Sequence, residues 1–184
     1  LKIEAPGDLI RQMAGRFVKV YTEKFSTAEK SSRLSRMQII TLASIVEKEA
    51  VASEEKPVIA SVFLNRLKKG MPLQSDPTAT YGIRAFGGKV SGADVRRDSP
   101  YNTYLISGLP PGPIGNPGAD AIEAVLKPAA TGYYYFVAKN DGTHHFSLNL
   151  DEHNRAVHQY LKGGAAETGS PEFRNDRPNI TGRR

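Results

Sequence analysis

Apolar side chains recur at helical spacing through the first seventy residues, which predicts three consecutive helices. The first covers 9–25, where apolar residues return every three or four positions. The polar stretch 26–33 is predicted to be a loop, and Ser35 is a candidate N-cap for a second helix that ends near Ala50. A third helix begins in the acidic segment after it and ends at Gly70, a residue type favoured at C-caps.

The centre of the chain, residues 71–118, follows a different pattern. Pro, Gly, Ser, Asn and Asp recur every few positions, which predicts long ordered loops and short strands. A short helix is expected over 119–127, and Asp141-Gly142 between two aromatic runs predicts a β-hairpin. A last helix is expected over 150–161. The predicted fold class is therefore α+β, with a helical core and a small β-hairpin.

The two ends of the chain carry separate expectations. Residues 163–184 contain few apolar side chains and are predicted to be a flexible tail, which leaves 1–162 as the folded domain. The chain starts at Leu1 without Met, and no signal peptide or membrane span is recognisable in it. We therefore expect a piece of a longer protein, with any anchor or export signal in a preceding part.

Composition excludes several classes of chemistry. The 184 residues include no cysteine, so disulfides, thiolate nucleophiles and cysteine metal sites are ruled out. The four histidines do not suggest a metal site, because His144 and His145 would point to opposite faces of a strand, while His153 and His158 are five apart on a helix. No cofactor is expected. The net charge of +6 favours an acidic partner, although scattered basic residues equally suit a solvated surface.

Two glutamates interrupt the apolar stripe of the second helix. At about 100° per residue, Glu47 and Glu49 each lie roughly 80° from the centre of the stripe, on opposite margins, with Lys48 opposite in water. They cannot form a carboxylate pair on one face. A carboxyl group at the edge of a buried stripe can be desolvated, which raises its pKa and suits a general acid in glycosidic bond cleavage. Helix geometry alone leaves open which glutamate does so, or whether both are solvated flank charges.

Several longer blocks resemble one known family. In chain order they are IVEKEA, ASVFLNRLKKGMPLQSDPTATYG, SPYNTY, GLPPGPIGNPGADAI, YYYFVAKNDGTHHF and EHNRAV. Together they span roughly residues 37–161 and resemble the endolytic murein transglycosylases of the MltG (YceG-like) family. Many blocks in one order are far more specific than a single short motif.

The resemblance implies an enzyme with a lysozyme-like helical core that faces the cell wall. Such enzymes cut the β-1,4 bond between N-acetylmuramic acid and N-acetylglucosamine inside peptidoglycan strands and leave 1,6-anhydro ends. It assigns the catalytic role to Glu47, the first glutamate of the E-K-E pair, and leaves Glu49 a supporting role. It also implies an N-terminal transmembrane anchor and a LysM-like domain that this chain lacks, a location on the outer face of the cytoplasmic membrane, and peptidoglycan synthases as candidate partners.

Other polar and aromatic residues of the central loops are candidate glycan contacts. Amide, hydroxyl and carboxylate groups can bond sugar hydroxyl and N-acetyl groups, and tyrosines offer flat apolar faces with polar tips. The alternatives are turn chemistry before Pro77, core packing for a tyrosine and a loop hydrogen bond for the asparagine. The candidates are Gln74, Ser75, Asp76, Tyr81, Tyr101 and Asn102.

Three rival functions remain at the level of the sequence. A muramidase would hydrolyse the same bond and would need a second carboxylate, with Asp76 and Asp98 as candidates. A non-catalytic glycan-binding module would not depend on Glu47. A nucleic-acid-binding protein is suggested by charge alone; no binding motif supports it, and we expect no nucleic-acid partner.

Overall fold

The computed structural model describes residues 6–83 and 90–162. Seven α-helices and two strands are present in those ranges, together with a short 3₁₀ turn before α3 and a π-helical turn after α7, which confirms the α+β class. The elements are α1 (Pro6–Lys30), α2 (Arg36–Glu49), α3 (Lys56–Lys68), α4 (Asp76–Thr80), α5 (Gly92–Val95), α6 (Ala119–Leu126), β1 (Tyr135–Ala138), β2 (His144–Ser147) and α7 (Leu150–Val157). The predicted tail over 163–184 lies outside the described residues.

The first helix is longer than the sequence predicted. α1 continues to Lys30, so the prediction of a loop over 26–33 is wrong for its first five residues. Polar side chains occupy the solvent face there, and without Gly or Pro they do not end a helix. The carboxylate of Glu29 then accepts hydrogen bonds from Arg36 at 2.9–3.1 Å, which joins the end of α1 to the start of α2.

The second helix lies at the centre of the core. Its start is fixed as predicted by Ser35, whose Oγ accepts from the Gln38 backbone N–H at 3.3 Å while Gln38 Oε1 accepts from the Ser35 N–H at 2.8 Å. α2 packs against α3, α4 and α6. All six residues from 41 to 46 are buried, so α2 is enclosed on nearly every side rather than along one stripe.

The hairpin covers one side of the helical core. β1 and β2 pair antiparallel with Tyr135 opposite Ser147, and the ring of Phe136 packs edge-on against Phe63 of α3 at 5.8 Å between centroids. The connection contains Gly142 at φ +87°, a backbone conformation that glycine adopts without steric cost. The hairpin predicted around Asp141-Gly142 is therefore confirmed.

The central loops contain helical turns where short strands were expected. Their described residues form α4 and α5, and the strands of the described chain are both in the hairpin. Hydrogen bonds between loops replace a sheet: Thr103 Oγ1 lies 2.7 Å from Thr78 Oγ1 and accepts from the Ser75 N–H at 3.0 Å. Closely spaced Pro and Gly make continuous strand pairing costly, and buried hydroxyl groups satisfy the backbone instead.

No helix among residues 6–83 and 90–162 has both the length and the apolar character needed to cross a membrane.

One buried serine ties the loop before α6 to α2. Ser44, with no exposed surface, accepts a hydrogen bond from the Ile114 N–H at 2.9 Å and donates to the Thr41 carbonyl at 2.7 Å. Ile114 belongs to the segment that leads to Gly118 and the start of α6. The position of that loop therefore depends on a polar contact inside the core.

We expect Ser44→Ala to lower the free energy of unfolding by about 1–3 kcal/mol, because it leaves the buried Ile114 N–H unpaired. Urea denaturation followed by circular dichroism measures this change. Ser31→Ala, which removes an exposed hydroxyl from the turn after α1, is the matched control and should stay within about 0.5 kcal/mol of the parent. Equal stability of the Ser44 variant and its parent would contradict the anchoring role.

Candidate active site

Glu47 and Glu49 reach opposite sides of α2 and enter different surroundings. Glu47 faces the start of α3 and the N-terminus of α6, where Lys56 and the Gly118 backbone contact it. Glu49 faces the loop before α4, where its partner is Ser75. Both residues are partly buried, and Lys48 between them is exposed. The two carboxylates therefore belong to two separate networks.

The carboxylate of Glu47 is held by one of its oxygens. Oε2 accepts a hydrogen bond from Lys56 Nζ at 3.0 Å and another from the Gly118 N–H at 3.2 Å. Gly118 is the N-cap of α6, so the carboxylate lies at the positive end of a helix. The side chain is 30% exposed. Glu47 thus combines a fixed carboxylate oxygen with access to a ligand.

Lys56 is a buried cation shared by two carboxylates. Its side chain is 7% exposed, and Nζ also donates to Asp120 Oδ2 at 2.6 Å. Burial alone would lower the pKa of Lys56, but the hydrogen bonds to Asp120 and Glu47 outweigh it and raise that pKa. The hydrogen bond from Lys56 is the main cause of the lowered pKa of Asp120. The three groups form one charged cluster of Glu47, Lys56 and Asp120.

Glu49 carries the raised pKa that sequence reasoning anticipated for one of the two glutamates. Desolvation raises the pKa of Glu49 to about 7; the hydrogen bond from Ser75 Oγ opposes the shift, and the charge of Asp76 adds to it. Arg66 lowers it only weakly by charge. The guanidinium of Arg66 instead donates to the carbonyls of Tyr134 at 2.6 Å and Leu73 at 2.8 Å. Glu49 is therefore a desolvated carboxyl without a direct cationic partner among the described contacts.

An open cleft of about 390 Å³ lies next to the segment that leads to Gly118, on the Glu47 side. Its walls come from α1, α2, the end of the α4 loop and the segment before α6; the lining residues are Phe17, Ile40, Tyr81, Pro113, Ile114, Gly115, Asn116 and Pro117. Glu47 is not one of these residues, but Pro117 directly precedes the Gly118 that contacts it. The rings of Tyr81 and Tyr101 lie 4.6 Å apart at 45°, so Tyr101 packs against the one predicted tyrosine that lines the cleft.

The three candidates at the start of α4 occupy different positions. Ser75 is buried and bonds Glu49, so its hydroxyl already has a protein partner. Gln74 is exposed at φ +50°. Asp76 is exposed and accepts a hydrogen bond from the Tyr104 hydroxyl. Gln74 and Asp76 are therefore accessible to a ligand, whereas Ser75 acts on Glu49.

Asn102 is completely buried, which favours the loop hydrogen bond over the cleft-lining role. Its amide nitrogen donates to the carbonyls of Val95 at 3.1 Å and Arg97 at 2.8 Å, and its Oδ1 accepts from the Tyr104 N–H at 3.1 Å. These bonds close the turn after α5. Asn102 shapes the loop from inside.

Sequence reasoning missed Lys56, Gly118 and Asp120. Each belongs to an unremarkable local pattern: a lysine before Pro57, a glycine in a Pro/Gly loop and an aspartate in the first turn of a helix. A buried lysine requires charged or polar partners, but a sequence does not reveal which lysine will be buried. The neighbouring carboxylates are 9 and 64 positions away.

Three of the described histidines have a ring or a carboxylate as partner. His144 Nδ1 lies 2.7 Å from Glu55 Oε2, while His145 packs near Tyr160 and His153 stacks on Tyr135. Within 6–83 and 90–162, no group of three histidine, aspartate or glutamate side chains is arranged to hold a metal ion.

The pKa of Glu49 predicts a pH dependence of stability. Because its pKa in the folded protein, about 7, exceeds the ordinary value of 4.5, the folded state binds the proton more tightly. Its contribution to stability is complete below about pH 4.5 and is lost as pH rises through 7. We expect Glu49→Gln to gain about 1–3 kcal/mol relative to the parent between pH 4 and pH 8.

Denaturant unfolding of parent and variant at several pH values measures this gain. Glu54→Gln, which removes an exposed carboxylate nearby, is the control and should track the parent. A constant difference between the Glu49 variant and the parent across the pH range would show that Glu49 does not titrate as described.

The sequence and the fold both match known proteins. The profile of the YceG-like family matches residues 2–159. A protein of Bacillus subtilis (strain 168) named endolytic murein transglycosylase is 43% identical over 154 residues, which is 84% of this chain and 42% of that protein. A protein of the same name from Streptococcus pneumoniae serotype 2 is 37% identical over 159 residues, 83% of this chain and 29% of its own length.

A solved structure agrees with the fold. The crystal structure of a YceG-like protein from Listeria monocytogenes superposes with a TM-score of 0.76 at 39% identity, over 83% of this chain and 49% of that one. The chain thus spans less than half the length of these relatives. Because the family profile covers most of the chain and the relatives are well above 30% identical, the resemblance is confirmed: this chain belongs to the YceG-like family.

Proposed function

We propose that this chain is the catalytic part of a lytic transglycosylase that cuts peptidoglycan glycan strands, with Glu47 as its single general acid and base. The observation that carries the proposal is the setting of Glu47: a partly exposed carboxylate, fixed through one oxygen by Lys56 and the Gly118 N–H. Relatives named endolytic murein transglycosylase support the reaction class.

The reaction requires only one carboxyl group. Protonated Glu47 gives its proton to the glycosidic oxygen as the bond from C1 of N-acetylmuramic acid breaks, so N-acetylglucosamine leaves with a free 4-hydroxyl. The Glu47 carboxylate then takes the proton from the C6 hydroxyl of the same muramic residue while O6 bonds to C1. Glu47 regains its proton, and no water is consumed. The attack is intramolecular, which keeps its entropic cost low.

The hydrogen bonds of Glu47 assign different tasks to its two oxygens. Both described bonds end on Oε2, so Oε1 is the oxygen that would exchange the proton with the glycan. The ring of Tyr81, with Tyr101 packed against it, would stack against sugar rings along the adjacent cleft. The exposed side chains of Gln74 and Asp76 would form hydrogen bonds with polar groups of the sugars. Ser75 and Asn102 would hold the surrounding loops in place, and Glu49 would support these loops from inside.

The substrate sets the location that we propose for the whole protein. Peptidoglycan lies outside the cytoplasmic membrane, so the described domain would work at the outer face of that membrane, held there in the full-length protein by an anchor in its N-terminal part. Peptidoglycan synthases are the partners we propose for it. The net charge of +6 suits a polymer that carries peptide carboxylates.

A hydrolase that cuts the same bond is the second candidate, because the structure places another carboxylate beside Glu47. Asp120 shares the Lys56 ammonium with it. Of the two partners suggested by the sequence, Asp76 lies on the Glu49 side of α2 and Asp98 is an exposed loop residue. Asp120 is held by Lys56 and Ser53, an arrangement that suits charge compensation better than activation of water.

We expect purified peptidoglycan digested with this chain to yield fragments with 1,6-anhydro-muramic ends, and Glu47→Gln to yield none. Glutamine keeps the shape of the side chain but neither donates nor takes the proton. Mass spectrometry of the products measures both outcomes, with Glu54→Gln as a control that should digest like the parent. Products heavier by one water would favour the hydrolase, and full digestion by the Glu47 variant would refute the catalytic role.

We expect Gly118→Ala to reduce cleavage about tenfold or more while leaving the fold intact. A methyl group at Gly118 would approach Asp120 Oδ1 to 2.7 Å and Glu47 Oε2 to 3.3 Å, so both carboxylates must move, and small misplacements of a catalytic group are costly. Gly132→Ala is the control, since its methyl group meets Leu148 at an ordinary 3.5 Å. Initial cleavage rates and thermal unfolding test both variants; an unchanged rate for the Gly118 variant would contradict the need for this close contact.

A further inference from the structure

We propose that Lys56 and Asp120 are a positioning pair for Glu47: Lys56 fixes Oε2, Asp120 fixes Lys56, and Oε1 is thereby presented to the glycan. The inference rests on the proposed function and adds two residues to it. Neither residue would contact the reacting atoms, and each would act through Glu47.

Because Lys56 is buried, its ammonium group requires the neighbouring carboxylates to compensate its charge. A lysine whose side chain is only 7% exposed is costly unless its charge is compensated. Glu47 and Asp120 provide that compensation at 3.0 Å and 2.6 Å from the same nitrogen. Loss of either carboxylate would therefore change the position of the Lys56 ammonium group relative to the remaining carboxylate.

Asp120 is itself held from two sides. Its Oδ2 accepts from the Ser53 hydroxyl at 3.1 Å as well as from Lys56, and its Oδ1 accepts from the Ala121 N–H at 3.0 Å. The first bond joins the start of α6 to the turn before α3, and the second closes the first turn of α6. The side chain that fixes Lys56 is thus anchored independently of Glu47.

The charges around Glu47 give the pair a second effect, on when Glu47 is protonated. Lys56 faces Glu47 from α3, and Asp120 faces it from α6. Asp76 on α4 acts on Glu49 instead, on the opposite side of α2 from Glu47. The ammonium of Lys56 favours the carboxylate form of Glu47, and Asp120 offsets part of that field. Because the proposed reaction begins with protonated Glu47, the pH range over which the protein cleaves its substrate should depend on both neighbouring charges.

The two residues should therefore shift the pH profile in opposite directions. With Asp120→Asn, the uncompensated ammonium acts on Glu47, and the alkaline limb of the cleavage rate should move to lower pH by about half a unit, since Asp120 is partly exposed. With Lys56→Met, the cation is gone, and that limb should move to higher pH by about one unit. Both variants should also lose rate at the optimum, about tenfold, through poorer positioning.

The experiment measures initial cleavage of purified peptidoglycan against pH for the parent and both variants, with thermal unfolding recorded for each. Glu123→Gln is the matched control, because it removes an exposed carboxylate from the same helix that pairs with Lys127 instead. Its profile should coincide with that of the parent. If Lys56→Met fails to fold, the acid shift of Asp120→Asn decides the matter alone.

The outcomes separate this inference from the proposed function. A parent that cleaves nothing, or a Glu47→Gln variant that still cleaves, would reject the proposed function itself. An active parent and inactive Glu47 variant, combined with an unshifted profile for Asp120→Asn, would reject only the positioning pair. Shifts of both variants in the same direction would also reject it. Removal of the Lys56 cation and removal of the Asp120 anion should act on Glu47 with opposite signs, whereas a purely structural loss need not.

Discussion

The enclosure of α2 governs the rest of the structure. Helices α3, α4 and α6 surround it, and six consecutive residues of it are buried. A helix in that position carries two glutamates near its C-terminal end, and neither can turn fully into water. The fold must therefore supply each carboxylate with its own surroundings, and the loops around α2 are arranged to do so.

The two surroundings solve the same electrostatic problem in opposite ways. On one side, Lys56 and the N-terminus of α6 compensate the charge of Glu47 and leave it partly exposed beside a cleft. On the other side, desolvation raises the pKa of Glu49 to about 7, and Ser75 is its hydrogen-bond partner. A raised pKa alone would have favoured Glu49 as the general acid. We propose Glu47 instead, because its carboxylate is fixed through one oxygen by Lys56 and the Gly118 N–H and its side chain remains partly exposed.

Much of the fold could be predicted because it follows from local patterns. The cap at Ser35, the end of α3 at Lys68 just before Gly70 and the hairpin around Asp141-Gly142 each depend on neighbours a few residues apart. The loop predicted over 26–33 was wrong in part because polarity marks a solvent face as readily as a loop. Short strands were predicted where α4 and α5 occur, since turn residues alone do not specify how the backbone between them is paired.

The candidate site was predicted less completely, for a physical reason. The positions of Glu47 and Glu49 on opposite margins follow from helix geometry, but the partners that distinguish them, Lys56 and Asp120, are joined only by the tertiary fold. Asn102 was a candidate glycan contact, but the fold buries it completely, and its amide nitrogen donates to the carbonyl of Arg97. Local sequence indicates which side chains could react, whereas long-range packing decides which of them are compensated, exposed or enclosed.

Digestion of peptidoglycan in water enriched in the heavy isotope of oxygen shows whether Glu47 cuts the glycan without consuming water. Newly formed muramic ends should carry none of the label, because O6 of the same sugar closes onto C1. One heavy oxygen atom at each new end would instead establish hydrolysis and overturn the single-carboxyl reaction, with Asp120 as the first residue to test for activation of water.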